Sequence, residues 1–250
     1  DGSVLIGTGN AGKIFRVSAG QVSEFASTGQ LAVTALSPDP KGGVLAATIP
    51  NGKIFRIDAA GKSSSFVDLP DTEHVWALAY DAKSKSTYAA TGPDGKLFRI
   101  DDAGRAQVHF DSDESHLISL AVSSDGTVYA GSSGNALLYK ITAPGRATVM
   151  HDFPGQDVKA LALGRDGRLF TISNEYPAPP SVPRKNRSAA SEPSEPSRSP
   201  AAKPGKGTLS RFETTGRVEQ LLFDKDHHFQ SLALGDDGLP YVGTGDSGDV

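Results

Sequence analysis

One short phrase returns along this chain at a nearly constant interval, and that interval constrains the fold more than any other feature. It reads "AGKIFRVSAG" at 11–20, "NGKIFRIDAAG" at 51–61 and "DGKLFRIDDAG" at 94–104. The aromatic residue of the phrase falls at Phe15, Phe55, Phe98 and Tyr139, spaced 40, 43 and 41 residues apart. A second marker keeps the same beat through Leu5, Leu45, Tyr88, Tyr129 and Phe170. A third runs through Leu36, Leu78, Leu120, Leu161 and Leu232, in phrases such as "TALSP", "WALAY" and "QSLAL". Three markers in one register require one supersecondary unit, repeated and stacked on itself.

Each unit reads as four short strands, A to D. The Ala/Ser-Leu phrase is A, the "VYAG"-like phrase is B, "KLFRI" is C and "RAQVHF" is D. Between them stand turn signals such as "SSDG" (123–126), "TGPDG" (91–95) and "DDAG" (101–104). Asp-Gly and Asn-Gly supply the positive-φ positions that tight hairpins need. Four antiparallel strands every 40 or so residues predict the blades of a β-propeller. Strand A adds a second clue. Its leucine is flanked by small residues throughout: Ala35 and Ser37, Ala77 and Ala79, Ser119 and Ala121, Ala160 and Ala162, Ser231 and Ala233. Strands crowding toward a common axis impose that taper, and a linear solenoid does not.

The recurring cadence of "DG", an aromatic, and "IFRID" resembles the propeller repeats of the NHL and WD-like superfamilies. The Gly-His and Trp-Asp dipeptides of true WD repeats are absent, and the cadence is nearer to NHL-type repeats. The resemblance implies fold, and an extracytoplasmic setting; it implies no particular chemistry.

The chain opens in the pattern at strand B and ends after a strand B, so we expect part of a ring of six to eight blades. The expected organisation is propeller over 1–174, an insertion over 175–207 and the same propeller over 208–250. Phe170 and Tyr241 stand 71 residues apart, well beyond the repeat, because of that insertion. It holds eight of the sixteen prolines and six Lys or Arg against three Glu. Such composition cannot bury enough apolar surface to fold, and predicts a disordered arm. It falls in a B–C loop. In propellers the B–C and D–A loops share one face, where ligands usually bind.

Bulk properties exclude several classes. A net charge of −4 gives no basic surface for nucleic acid. No apolar run is long enough to cross a bilayer as a helix. The absence of cysteine removes disulfides and thiolate metal sites. No nucleophile elbow, P-loop or metalloprotease helix is present, and "GTGNAG" (7–12) opens a strand, so it is a hairpin turn rather than a dinucleotide fingerprint.

The candidate site lies in the D–A loops. The residue four before each strand A leucine is Ala32, His74, His116, Asp157 or His228. In a closed propeller these positions ring the channel mouth. Imidazole and carboxylate ligands there have the chemistry to hold a divalent cation such as Ca, Mg or Zn. Propeller lyases and gluconolactonases place a metal or a His/Glu pair at such a mouth, although no motif here carries over their catalytic residues. Equally, these side chains can bond to neighbouring backbone and lock the blades. The basic residue of strand C, at Arg16, Arg56, Arg99, Lys140 and Arg211, is expected to pair with nearby acids. Trp76 is expected in the core.

Three functional readings follow. The first is a non-enzymatic scaffold, needing no cofactor, that binds a protein, peptide or glycan partner through the B–C/D–A face. The second is a metal-dependent lyase or lactonase using His74, His116, Asp157 and His228. A sensor domain of a larger cell-surface or periplasmic protein is a third. The oligomeric state is not legible.

Overall fold

A computed structural model of the chain describes residues 2–177 and 205–245. Every regular element in it is a β-strand, and the sheets follow the repeat except that a Ser133↔Asp157 pairing joins the fourth and fifth blades. The first blade contributes β1 (Val4–Gly7), β2 (Lys13–Ser18) and β3 (Gln21–Ser27). The second is β4 (Ala32–Pro38), β5 (Val44–Ile49), β6 (Lys53–Ile57) and β7 (Ser63–Asp68). The third is β8 (His74–Asp81), β9 (Ser86–Gly92), β10 (Lys96–Asp101) and β11 (Ala106–Asp111). The fourth is β12 (His116–Val122), β13 (Val128–Ser133), β14 (Leu137–Ala143) and β15 (Arg146–Asp152). The fifth is β16 (Asp157–Leu163), β17 (Leu169–Glu175), β18 (Lys206–Phe212) and β19 (Val218–Asp224). β20 (Phe229–Leu234) and β21 (Pro240–Thr244) begin a sixth. Within each blade consecutive strands pair antiparallel, and the inner strands β4, β8, β12, β16 and β20 pack each on the next. This is a β-propeller, as the repeat predicts.

The turns explain why glycine recurs. At Asp39, Asp58, Asp101, Ser123, Gly164, Glu213 and Gly235 the backbone N–H donates to the carbonyl four residues on, and accepts at its own carbonyl from the amide three residues on. This is a type I turn closed by a left-handed residue. Gly126 fills that position in "SSDG", at φ 93°. An aspartate commonly caps the turn: Asp101 Oδ1 takes the amides of Ala103 and Arg105 at 2.9 and 3.0 Å.

The core lies between blades. Leu45, Ile54, Val75, Ala89 and Phe98 form one cluster across the second and third blades, and Leu97, Leu117, Val128 and Ile141 the next. Leu138, Val158, Leu169 and Phe212 then join the fourth blade to the fifth. The strand A leucines only flank these clusters. The fully buried anchor is the residue three before each: Val75, Leu117 and Val158 are 0% exposed, and Phe229 is 1%. Among the described residues, only Arg56 and Arg211 of the strand C basic residues pair with acids as expected, and Arg99 donates to Ser86 Oγ at 3.1 Å instead. Arg56 pairs with buried Asp39, and Arg211 pairs with Glu213 and Glu219 at 2.8 Å. Arg16 and Arg56 also lie over the rings of Phe25 and Phe66, 3.9 and 4.1 Å from the centroids.

β17 and β18 pair from Leu169↔Phe212 out to Glu175↔Lys206, where Lys206 Nζ meets Glu175 Oε1 at 2.8 Å. The Pro-rich stretch therefore joins two adjacent strands of one blade. The disorder expected over 175–207 does not hold at either end, because Glu175, Lys206 and Gly207 belong to paired strands; residues 178–204 of that stretch lie outside the described residues. Among the described residues no helix is long and apolar enough to cross a membrane.

Candidate functional site

Each inner strand carries the same irregularity. The register of A against B shifts between Val33 and Ala35, Val75 and Ala77, Leu117 and Ser119, Val158 and Ala160, and Phe229 and Ser231. One residue per strand is left without a partner, which is a β-bulge. The bulged residues are Thr34, Trp76, Ile118, Lys159 and Gln230. Four of them, Thr34, Trp76, Ile118 and Lys159, line a single cavity of about 580 Å³. His116, Ser133 and Asp157 complete its wall. A bulge turns one side chain out of the alternating pattern, so the fold presents a different residue from each blade toward one space. The inner strands begin at this end, so the cavity opens toward the D–A and B–C loops.

Trp76 is half-buried and lines this cavity, contrary to the expected place in the core. Its reason is the bulge, which removes it from the face that Val75 buries. One face of the indole stacks on His74, with centroids 4.9 Å apart and planes at 30°. Its Nε1–H donates to His116 Nδ1 at 3.0 Å. An indole N–H can only donate, so His116 Nδ1 bears the lone pair and its proton sits on Nε2. His116 is thus fixed as a neutral ring that offers an N–H. Burial holds its pKa below the usual value, the nearby His74 pushes it lower, and Asp157 opposes them.

The sequence-predicted residues are only partly brought together. His74 and His116 are neighbours, with ring centroids 5.9 Å apart. Asp157 shares the cavity with His116 and accepts from Ser133 Oγ at 2.6 Å. His228 stands one blade on, with its ring 5.7 Å from that of Tyr176. Tyr176 lies near both: burial first, and the Asp157 carboxylate second, push its pKa up to about 12, and its hydroxyl accepts from Asn174 Nδ2 at 3.3 Å. Among the described residues no group of three or more His, Asp or Glu is placed to hold a metal ion.

Lys159 is the cation of this wall. It is half-buried and makes no ion pair or hydrogen bond among the described residues. Tyr176, Lys159 and the bulge position were not singled out from the sequence. A signal existed for the bulge: two residues before each strand A leucine, the chain reads Thr, Trp, Ile, Lys, Gln, while the residues on either side of the leucine stay small. Tyr176 has no repeat counterpart and leaves no periodic trace.

A second imidazole adds a solution test. His109 is buried against Tyr88, ring centroids 5.0 Å apart, and burial followed by the Arg99 charge lowers its pKa. For His109 and His116 alike, the unfolded chain takes up the proton first as pH falls below about 6.5. Folding stability is therefore fully present above that value and declines below it. Urea midpoints should drop between pH 7.5 and pH 5.5, and the drop should shrink in His109→Gln.

No protein-family model matches the chain, and no curated protein matches it in sequence. Solved structures do. A streptogramin B lyase structure superposes with a TM-score of 0.68 at 13% identity, covering 93% of this chain and 69% of that one. Virginiamycin B lyase from Staphylococcus aureus gives 0.65 at 15%, covering 89% and 67%. A chain of a nidogen/laminin complex gives 0.67 at 12%, covering 97% and 86%. At such identities the likeness is one of fold. It joins this chain to propeller proteins that include both a lyase and a protein from a binding complex.

Proposed function

We propose that this chain is a non-enzymatic ligand-binding propeller of NHL-like type, whose site is the mouth of the axial channel on the B–C/D–A face. The observation that carries the reading is the set of bulges. The leucine and its small neighbours recur from blade to blade, yet at the bulge the blades offer the cavity four different side chains, Thr34, Trp76, Ile118 and Lys159. A cavity with an aromatic wall and a few convergent polar groups is the usual form of a small-ligand site. Protein, peptide and glycan partners all remain within the reading, and the nidogen/laminin structure lends support to the first of these.

The alternative, a metal-dependent lyase or lactonase, draws on the lyase structures of like fold. It asks His116 to give a cation the Nε2 lone pair, which is protonated while Trp76 holds Nδ1. The binding reading leaves that hydrogen bond intact, so it fits the geometry better.

The test is a glycan and peptide array probed with the 250-residue chain and with Trp76→Ala. Ligands that bind wild type should lose at least tenfold in affinity in Trp76→Ala, and Trp76→Phe should recover part of it. Hits indifferent to both substitutions would overturn the assignment of the site. Zinc-dependent turnover of a lactone or cyclic depsipeptide would favour the enzyme instead.

A further inference from the structure

We infer that the channel mouth recognises a hexuronate, a pyranose ring bearing a carboxylate, with the ring against Trp76 and the carboxylate on Lys159. The inference rests on the binding site proposed above and names its ligand class.

Four features of the wall set the chemistry. The first is an aromatic platform in polar surroundings. His74 covers one face of the indole and the indole N–H is spent on His116, so what Trp76 offers the cavity is its π surface. That surface is electronegative, and it attracts the weakly positive C–H edge of a saturated ring. The second is Lys159, a half-buried cation with no anionic partner among the described residues. An ammonium held this way favours an anionic ligand, and opposes a cationic one.

The third is Asp157. Ser133 donates to its carboxylate at 2.6 Å, which holds it in place and still leaves acceptor sites free. A fixed carboxylate with spare lone pairs accepts from ligand hydroxyls. The fourth is His116, whose proton on Nε2 makes it a neutral donor. Donor, acceptor, cation and ring platform together describe a polyhydroxylated acid. A purely aromatic carboxylate would use Trp76 and Lys159 and leave Asp157 unmatched. A neutral sugar would leave Lys159 unmatched. The volume of about 580 Å³ is larger than one pyranose requires, which suits a unit within an oligosaccharide.

The chain has one tryptophan, so its fluorescence reports this site alone. Titration with trigalacturonate should shift Trp76 emission saturably, and galactotriose should bind at least tenfold more weakly. Lys159→Gln should remove that preference, weakening trigalacturonate about tenfold while leaving galactotriose within twofold. Asp157→Asn should weaken both sugars. Phenylacetate should bind more weakly than trigalacturonate. The inference is overturned if phenylacetate binds as well as trigalacturonate, if Lys159→Gln keeps the acid preference, or if no acid sugar moves the emission. If array ligands that depend on Trp76 turn out to be neutral glycans or peptides, the channel-mouth site stands and the hexuronate assignment falls. If no ligand depends on Trp76, the site itself falls.

Discussion

Asn174→Ala should lower the unfolding free energy by about 2–4 kcal/mol, the largest single effect expected from any polar residue here. Asn174 is 1% exposed at the outer end of β17. Its Oδ1 accepts the amide of Phe229 at 2.8 Å, and its Nδ2 donates to the carbonyl of the same residue at 2.8 Å. The side chain thus acts as a strand edge toward β20 and holds the sixth blade to the fifth. Alanine removes both partners at once and leaves a buried N–H and a buried C=O unpaired, each costing about 1–3 kcal/mol before relaxation. Phe229, itself buried over Gly207, then loses its anchor. Asn174→Asp separates the two bonds, since it keeps the acceptor, loses the donor and adds a buried charge. It should be no more stable than alanine. Urea denaturation reads both, and hydrogen exchange at the Phe229 amide locates the loss. A change below about 0.5 kcal/mol in Asn174→Ala would mean that the interface, not the asparagine, carries the contact.

The device at Asn174 is one of several at equivalent places, and this bears on what could be read from sequence. The end of each strand B grips the next blade differently. Thr8 O accepts from Val33 N at 2.9 Å, and Ser133 Oγ donates to Asp157 at 2.6 Å. Gly92 instead leaves space for the ring of His116. The repeat, the strand order, the turn chemistry and the joining of β17 to β18 across the insertion were legible, because backbone geometry and blade packing demand the same residue types each time. The leucine of strand A was legible as a marker but not as the anchor, since periodicity alone does not say which side of a bulged strand is buried. His74, His116 and Asp157 share a repeat position that could be read from the sequence, and the structure sets His116 and Asp157 on one cavity with His74 beside His116. Their partners could not be read. Trp76 and Lys159 sit at a bulge that repeats while its residue does not, and Tyr176 has no repeat counterpart, so a reading of recurring residues passes over all three.

Gly92→Ala should both destabilise the fold and disturb the candidate site, by about 1–3 kcal/mol for the crowding alone. A Cβ at Gly92 would run into Nδ1 of His116, the atom that accepts from Trp76. No left-handed φ is involved at this glycine, so the whole penalty comes from space. His116 must swing away, the indole N–H loses its acceptor, and the emission of the single tryptophan should change. Gly131→Ala is the matched control. Its Cβ would meet Ser119 Oγ first and Val158 at 2.7 Å, neither of them a partner of the indole. It should cost comparable stability and leave Trp76 emission unchanged. The decisive variant is Gly92→Ala combined with His116→Ala, which removes the obstructing ring. If crowding is the cause, adding Gly92→Ala to His116→Ala should cost less than about 0.5 kcal/mol, and the double-mutant cycle should show coupling above 1 kcal/mol. Additive losses would mean that Gly92 serves β9 itself, and that the ring of His116 is not what keeps this position small.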